Sequence, residues 1–367
     1  MPVSGAPISF ARGAPSLDIV DVDGLQESAR RAFAEDAAAT VGYGTAVGFV
    51  PLREWIAEHH GVPVEQVLVT NGSMQADAFL FALMVQPGDP VIVESPTYDR
   101  TLLNLRQRDA DIRMVELETD GIDVDAVHAL MRDGLRPKLA HIIPNFQNPA
   151  GYTLSAAKRL RLLELAAEHD MTIFEDDPYV AIRFEGESLP TMLEQDTAGK
   201  VVYASSFSKT VCPGIRVGYL VGPQALIAQI QTLATNTYIS PNMVAQSIVN
   251  QFCRSGRLER SIETVRDALR ERRDALVSAL RRELPEARFE PPQGGYFMWV
   301  ELPEDVDVAE LQIAASERGV LLVKGSDFLL EGGRNAMRLA YSGVTPEEIG
   351  EGVTRLAAAV RSLRASA

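Results

Sequence analysis

The sequence predicts an α/β protein with a mostly parallel sheet of seven strands flanked by helices, followed by a smaller α+β unit. Two observations predict this class. Strand-like apolar runs alternate with helical runs up to about residue 223, and short strands return after about residue 287. A chain of 367 residues also has room for one large and one small domain. We expect an N-terminal segment with part of the small domain at 1–48, the large domain at 49–285 and the small domain at 286–367.

The large domain should supply seven strands with helices between them. The strands are expected, in chain order, in VEQVLVTNG, DPVIVESP, IRMVELE, RPKLAHIIPNF, MTIFEDDPY, GKVVYASSFS and RVGYLVGP. A helix is expected in SMQADAFLFALMVQPG after the first strand. The leucines of LSAAKRLRLLELAAEHD recur at helical spacing before the fifth. This alternation favours a parallel sheet, in which ligands bind beyond the carboxyl ends of the strands.

The remaining chain should be helical at first and mixed afterwards. Helices are expected in QALIAQIQTLAT, in NMVAQSIVNQFCRSG and in the long, charged RLERSIETVRDALRERRDALVSALRREL. The small domain should follow with strands in ARFEPPQGGYFMWVELP, VLLVKG and AMRLAYS, and with a closing helix near 345–364.

Composition narrows the function classes. The net charge of −15 disfavours nucleic acid and anionic membrane surfaces as partners. The two cysteines, Cys212 and Cys253, suggest neither a disulfide framework nor a metal cluster, and they fit a reducing cytoplasm. No apolar run approaches the roughly 20 residues that span a bilayer. The N-terminus lacks the basic and apolar regions of a signal peptide. We therefore expect a cytoplasmic protein that acts on small molecules.

Polar and ionisable residues follow several predicted strands. If the sheet is parallel, their side chains should converge at one edge. These residues are Gly72 and Ser73, Tyr98, Asn148, Asp176 with Asp177 and Tyr179, and Ser206 with Ser208 and Lys209. An acid at the end of a buried strand is unfavourable unless a positive group meets it. A helix that opens at Gly72 and Ser73 offers free N–H groups to an anion.

Pyridoxal phosphate (PLP) is a ligand that uses all of these groups. Its aldehyde reacts with a lysine, and Lys209 stands alone in a serine-rich loop without charged neighbours within four positions. Its pyridine nitrogen needs an acid in order to stay protonated, which makes the ring an electron sink. Its phosphate needs a helix N-terminus, hydroxyls and an arginine, and its flat ring needs an aromatic partner.

At this point the sequence resembles a known family, the fold-type I PLP-dependent aminotransferases of class I/II. The segments that carry the resemblance are SFSKTVCPGIRVGY, NPAG, EDDPY, YGTAVGFVPLREWIAEHHG and MRLAYS, in the family's order and over nearly the whole chain. GSMQA and ESPTYD look most similar to the α-aminoadipate/kynurenine-type subgroup. The resemblance implies the PLP-transferase fold of type I and a transamination between an L-amino acid and a 2-oxo acid by a ping-pong mechanism.

The resemblance also implies a role for individual residues at the cofactor ring. Lys209 is the lysine that bonds the cofactor and then moves the substrate proton. Asp176 is the acid at the pyridine nitrogen, chosen over Asp177 because the family's tyrosine follows its acid by three positions and Tyr179 is present. Tyr179 and Asn148 hydrogen-bond the phenolic oxygen, and Tyr98 stacks on the ring.

The same resemblance implies how the phosphate and the substrate are held. Ser73, Met74, Ser206, Ser208 and Arg216 form the phosphate site, where Met74 can offer only its backbone N–H. Tyr43 reaches the phosphate from the neighbouring subunit of a homodimer. Arg338 grips the substrate α-carboxylate, with Asn148 beside it. Cys212 has no family role and is expected to pack.

The N-terminal segment ISFARGAPSLDIVDVDG departs from the family's pattern, and in relatives this segment lines the side-chain pocket. Asp18, or one of the nearby acids Asp21 and Asp23, would favour a cationic amino acid. Arg12 would favour an acidic one, and an apolar pocket would favour aromatic or branched side chains. Because this segment has three acids and one base, we expect a substrate amino acid with a basic or polar side chain.

Two other functions remain open from the sequence. Lyases, decarboxylases and oxidases share the fold and the lysine, so the motifs do not exclude them. A ligand-sensing regulator with a fused DNA-binding domain is the other. The family pattern begins near residue 8, which leaves no room for such a domain in this sequence, and the acidic charge agrees with that expectation.

Overall fold

The computed structural model describes residues 7–366, which contain an eight-stranded sheet, a three-stranded sheet and a short parallel pair of two strands, Ile8–Ser9 with Val320–Leu321. The helices are α1 (Val22–Glu35), α2 (Ala37–Val41), α3 (Val50–His60), α4 (Ser73–Met84), α5 (Asp99–Arg106), α6 (Val124–Arg132), α7 (Ala156–His169), α8 (Met192–Gln195), α9 (Gln224–Tyr238), α10 (Met243–Arg254), α11 (Arg257–Glu283), α12 (Val308–Glu317) and α13 (Pro346–Ser366).

The strands are β1 (Ile8–Ser9), β2 (Val67–Thr70), β3 (Pro90–Ser95), β4 (Asp111–Glu118), β5 (Gly121–Ile122), β6 (Leu139–Ile142), β7 (Thr172–Asp176), β8 (Val201–Ser206), β9 (Gly218–Val221), β10 (Phe297–Glu301), β11 (Val320–Leu321), β12 (Val323–Lys324) and β13 (Ala336–Ala340).

The large sheet has the order β2-β9-β8-β7-β6-β3-β4-β5. The pairs β8–β7, β7–β6, β6–β3 and β3–β4 are parallel, whereas β9 runs antiparallel to both of its neighbours. All seven predicted strands are present, and the predicted class of a mostly parallel α/β sheet is confirmed. The two-residue β5, which returns antiparallel to β4, was not predicted.

Helices cover both faces of this sheet, so β2, β6, β8 and β9 are buried on both sides and consist mostly of apolar residues. Phe174 of β7 points to the layer that contains Leu80 of α4 and Ile230 of α9. Its neighbour Ile173 points to the opposite layer, with Leu162 of α7. The alternation of side chains along the strand therefore divides the core into two layers.

The small sheet has the order β10-β13-β12 and is antiparallel. Its core also contains Ile8, Phe10 and Ile19 from the N-terminal segment. Helix α11 contributes to both cores, because Leu258 packs in the large domain and Leu280 in the small one. The expected domain boundary at residue 285 lies just after α11, and the C-terminal part of α11 already packs in the small-domain core.

Among residues 7–366, no helix is long and apolar enough to cross a membrane.

Candidate active site

The carboxyl ends of five strands or strand extensions meet at one cavity, as the parallel sheet requires. Ten of its lining residues are those that the sequence singled out for a cofactor. The lining consists of Ser73, Met74, Asp77, Tyr98, Ile143, Asn148, Asp176, Pro178, Tyr179, Ser206, Ser208, Lys209 and Arg216. We refer to this space as the inner cavity.

Lys209 lies in the loop after β8 and points into the inner cavity. Its Nζ donates a hydrogen bond to the backbone oxygen of Gly13 at 2.6 Å and lies 5.0 Å from the centre of the Tyr296 ring. The Tyr296 hydroxyl donates to the Lys209 backbone oxygen at 2.9 Å, which holds the loop in place. Burial, followed by the charges of Arg338 and Arg216, lowers the pKa of Lys209 to about 8. A substantial fraction of this amine is therefore neutral near pH 8.

Asp176 is the last residue of β7 and is almost fully buried at the inner end of the cavity. Its Oδ2 lies 3.5 Å from Nε2 of His141 on the neighbouring strand β6. Its Oδ1 has no hydrogen-bond partner within the described chain. A buried carboxylate oxygen without a donor is unfavourable, so this atom is available to a ligand N–H.

Asp177, the competing candidate, has different surroundings. It accepts a hydrogen bond from Asn145 Nδ2 at 2.8 Å and does not line the inner cavity. Burial, followed by the charge of Glu175, raises the pKa of Asp177 well above its usual value. Because successive side chains at a strand end alternate in direction, only the first of the two acids faces the cavity.

The N-terminus of α4 forms an anion-binding corner of the inner cavity. The Arg216 guanidinium lies against Gly72, where a Cβ would sit 2.1 Å from Nη2, and it donates from Nη1 to Ser208 Oγ at 3.1 Å. Gly218 is required on the opposite side, because a Cβ there would lie 2.5 Å from the backbone nitrogen of Ser73. Free N–H groups, hydroxyls and a guanidinium in one corner suit a phosphate.

Ser206 supports this corner through its hydroxyl, which accepts from the backbone N–H of Ser208 at 3.1 Å and donates to the oxygen of Val217 at 3.3 Å. Met74 and Tyr98 form a side of the cavity. The Tyr98 hydroxyl contacts the Met74 sulfur at 3.8 Å, and burial raises the pKa of Tyr98 to about 12. Tyr98 is therefore a neutral, half-buried aromatic ring beside the cavity.

Arg338 lies on β13 of the small domain and opens onto a second, adjoining space, which we call the outer cavity. Its Nη1 donates to Asn148 Oδ1 at 2.9 Å and its Nη2 to the backbone oxygen of Ala11 at 2.7 Å. The guanidinium carbon lies 4.3 Å from the Phe297 ring centre and 4.8 Å from that of Phe328. These rings fix the plane of a buried cation that can bind a carboxylate.

Tyr179 and Asn148 connect the two cavities, since both line each of them. Tyr179 is buried, and its ring packs edge-on against Phe297. Burial raises the pKa of Tyr179 well above its usual value, so its hydroxyl can act as a hydrogen-bond donor.

The two charged residues expected from the N-terminal segment lie in different places. Arg12 lines the outer cavity. Asp18 lies outside both cavities, because its Oδ2 is held by Nη2 of the buried Arg272 at 2.6 Å. Asp21 is similarly occupied, since it caps α1 and pairs with Arg257 at 2.9 Å. The expectation that Asp18 binds substrate is therefore wrong. The Asp18 carboxylate neutralises the buried guanidinium of Arg272 instead.

Tyr43 lies in the loop between α2 and α3 and does not line either cavity of its own chain. Its side chain is 91% exposed, and the neighbouring Val41 is 67% exposed. Cys212, for which no role was expected, is partly buried and does not line the inner cavity.

Several contributors to the site were missed from the sequence, among them Asp77, His141, Phe297 and Phe328. Asp77 lines the inner cavity from α4, where an acid in the apolar run ADAFLFALM was the available signal. His141 supports Asp176 from β6, and a histidine within a buried strand could have been noticed for the same reason. Phe328 flanks Arg338 from the short 3-10 helix Gly325–Phe328, whose position no local sequence pattern reveals.

Comparisons with known proteins agree with this geometry. A model of the family "Aminotransferase class I and II" matches residues 8–356. The chain is 35% identical to the 2-aminoadipate transaminase of Thermus thermophilus over 98% of this chain and 91% of that protein. It is 33% identical to the aromatic-amino-acid aminotransferase 1 of Thermococcus litoralis over 96% of this chain and 88% of that one.

A solved structure is similar over almost the whole fold. The α-aminoadipate aminotransferase LysN of Thermus thermophilus, complexed with N-(5'-phosphopyridoxyl)-L-leucine, superposes with a TM-score of 0.94 and 32% identity. The match covers 98% of this chain and 94% of that one. The chain therefore belongs to the class I and II aminotransferases and is an enzyme of this family with the fold of type I.

Proposed function

We propose that this enzyme binds PLP in the inner cavity and transfers an amino group from an L-amino acid to a 2-oxo acid by a ping-pong mechanism. The observation that carries the proposal is the convergence of Lys209, Asp176 and the α4 N-terminus on one cavity, with Arg338 at the entrance to the next. The unpartnered oxygen of Asp176 and the Gly72–Arg216 corner both support a ligand with a basic nitrogen at one end and a phosphate at the other.

PLP, when bound, would supply an electron sink for the pair released at the substrate Cα. Asp176 would hold the ring nitrogen in its protonated form, and Tyr179 and Asn148 would meet the phenolic oxygen. Ser73, Ser206, Ser208 and Arg216, together with the backbone of Met74, would hold the phosphate. Tyr98 would cover one face of the ring.

Lys209 is the residue that carries the proton. Its Nζ lies where the inner and outer cavities meet, and burial lowers the pKa of the free amine to about 8. In the cofactor-free chain the hydrogen bond to Gly13 holds Nζ at this junction. With PLP bound, Lys209 would be the residue that holds the cofactor covalently, and its free amine would be placed to move a proton at the substrate Cα.

Arg338 orients the substrate through its α-carboxylate. A guanidinium can donate two parallel hydrogen bonds to a carboxylate, and both of its terminal nitrogens now donate to neutral oxygens. Exchange of the Ala11 carbonyl for a carboxylate would replace a neutral acceptor with a charged one, which makes a stronger bond. Phe297 and Phe328 keep water away from the flat faces of this cation.

The charges of the outer cavity support an acidic substrate side chain, in place of the basic one that the sequence slightly favoured. Asp99 pairs with Arg100 at 3.5 Å, and Asp327 pairs with Lys324 at 3.0 Å. Arg12 has no ion pair or side-chain hydrogen bond among residues 7–366. Once Arg338 is committed to the α-carboxylate and Lys209 to the cofactor, Arg12 is an exposed cation at the outer cavity with which a second carboxylate would pair.

We further propose a homodimer in which Tyr43 of the partner subunit completes the phosphate site. Tyr43 is almost fully exposed in its own chain, yet it belongs to a motif that the family places at the cofactor. Val41, two residues before Tyr43, is also an exposed apolar side chain.

The test is a half-reaction followed by absorbance, with each amino acid added to the PLP-loaded enzyme. Conversion of the bound cofactor to its amine form, with release of one 2-oxo acid, supports transamination. Release of carbon dioxide or ammonia without that conversion supports the lyase, decarboxylase or oxidase alternatives instead. Lys209→Ala should abolish the reaction, whereas Lys200→Ala should not, because Lys200 pairs with Asp170 at the surface.

A further inference from the structure

Asp77 is a buried acid that neither the family resemblance nor the mechanism above uses. It lies in the second turn of α4, in a helix whose following residues are apolar, and its side chain is 2% exposed. It nevertheless lines the inner cavity, and its Oδ1 has no hydrogen-bond partner within the described chain. A carboxyl group in this position would be strongly unfavourable in its charged form.

A second acid with the same deficiency faces the same cavity. Asp176 on β7 is 5% exposed, and its Oδ1 also lacks a partner in the part of the chain described. Two carboxylates that line one buried cavity cannot both ionise easily. Burial, followed by the charge of Asp176, raises the pKa of Asp77 well above its usual value.

The other ionisable groups around the pair do not remove this conflict. His141 on β6 approaches Asp176 Oδ2 and not Asp77. Tyr98 faces both acids and is neutral, because its pKa is raised to about 12. Lys209 and Arg216 line the same cavity but donate to Gly13 and Ser208, respectively. Glu94 on β3 accepts from the Ile143 N–H and from Gln147, and so adds a further buried acid nearby.

We infer that Asp77 is a positioning residue that stays protonated and shares its proton with Asp176, which sets how strongly Asp176 accepts from the cofactor's ring nitrogen. In the cofactor-free protein the shared proton satisfies the two free oxygens. In the loaded enzyme, the neutral Asp77 donates to Asp176. The inference about the loaded enzyme rests on the proposed function, whereas the shared proton is a property of the chain itself.

The first experiment is infrared spectroscopy of the cofactor-free protein near neutral pH, where a protonated carboxylic acid has its own carbonyl band. Glu94→Gln is the matched control, because Glu94 is another buried acid with a pKa raised, by burial, to about 8. We expect Asp77→Asn and Glu94→Gln each to remove a different part of the band. An unchanged band in Asp77→Asn overturns the inference.

The second experiment measures Tm of the cofactor-free protein against pH. A carboxyl whose pKa is raised in the folded state stabilises the fold fully below its unfolded pKa of about 4, and this stability is lost as the pH rises through the folded value. Asp77→Asn has no such proton to lose. We therefore expect Tm of the variant minus Tm of the wild type to increase between about pH 5 and about pH 9. A constant difference contradicts the shared proton.

The third experiment uses the loaded enzyme and the nitrogen-15 chemical shift of the cofactor's ring nitrogen. Asp77→Asn keeps a donor beside Asp176 and should leave this shift near the wild-type value, whereas Asp77→Leu removes the donor and should move it. Equal shifts in all three proteins overturn the positioning role. If Asp77→Leu does not fold, the infrared carbonyl band and the Tm values of Asp77→Asn at different pH decide whether Asp77 carries the proton. A protein that shows the acid band but binds no PLP contradicts the proposed function and leaves the acid pair standing.

Discussion

At the level of single side chains, the substrate preference depends on which charges in the outer cavity are already paired. Arg12→Ala should lower kcat/KM for glutamate and 2-aminoadipate about 10- to 100-fold, since a charge-assisted hydrogen bond contributes about 1.5–3 kcal/mol. Arg12→Lys should recover part of the loss because it keeps the charge. Leucine is the internal control and should change little. If lysine or arginine is the better substrate and Arg12→Ala leaves that order unchanged, the cavity selects by other groups.

Single side chains also mark the limit of what the sequence predicts. The motif spacing favoured Asp176 over Asp177, and in the structure Asp176 lines the inner cavity whereas Asp177 accepts from Asn145. The count of three acids and one base in the N-terminal segment did not reveal that Asp18 is already paired. Its partner, Arg272, lies 254 residues away in sequence. Spacing constrains residues within one element, whereas an ion pair between distant elements depends on tertiary packing that no local pattern contains.

At the level of helices and strands, the start of α4 should control cofactor affinity. Gly72 has a φ of +85°, and a Cβ there would meet the Arg216 guanidinium. Gly72→Ala should therefore displace Arg216 and weaken PLP binding at least about 10-fold, beyond the roughly 1–2 kcal/mol of stability that a left-handed alanine loses. Gly88→Ala is the matched control, with a φ of +81° and open space around it. It should lower Tm similarly and leave PLP affinity intact. Equal affinities in both variants contradict the corner as a phosphate site.

The elements were largely predictable because near-continuous apolar runs between turn signals are typical of strands that are buried on both faces. β2, β6, β8 and β9 are buried along their whole length, and each was expected. The strand β5 was not predicted because two residues are too few to show a hydrophobic periodicity. Helix α4 was also expected, but its apolar pattern concealed Asp77, whose orientation toward the cavity depends on how α4 packs on the sheet.

For the protein as a whole, the site lies between two cores that share one helix. Lys209 and Asp176 belong to the large domain, whereas Arg338 belongs to the small one. Helix α11 packs in both cores, and the N-terminal segment links them through the hydrogen bonds of Gly13 to Lys209 and of Ala11 to Arg338. A shift between the domains would therefore change the distance between the lysine and the carboxylate-binding arginine, which makes relative domain position part of the site.

The proposed second subunit is the last part of the site and can be tested by mixing inactive proteins. Tyr43→Ala and Lys209→Ala should each have little activity as homodimers. A hybrid dimer contains one site in which the intact Lys209 of one chain meets Tyr43 of the partner subunit, so activity should return to up to about half per hybrid dimer. Lys200→Ala mixed with Lys209→Ala controls for dilution, because Lys200 lies at the surface, paired with Asp170. Subunit exchange is verified by mass. Exchange without recovery would place Tyr43 at the site of its own chain, against its 91% exposure there.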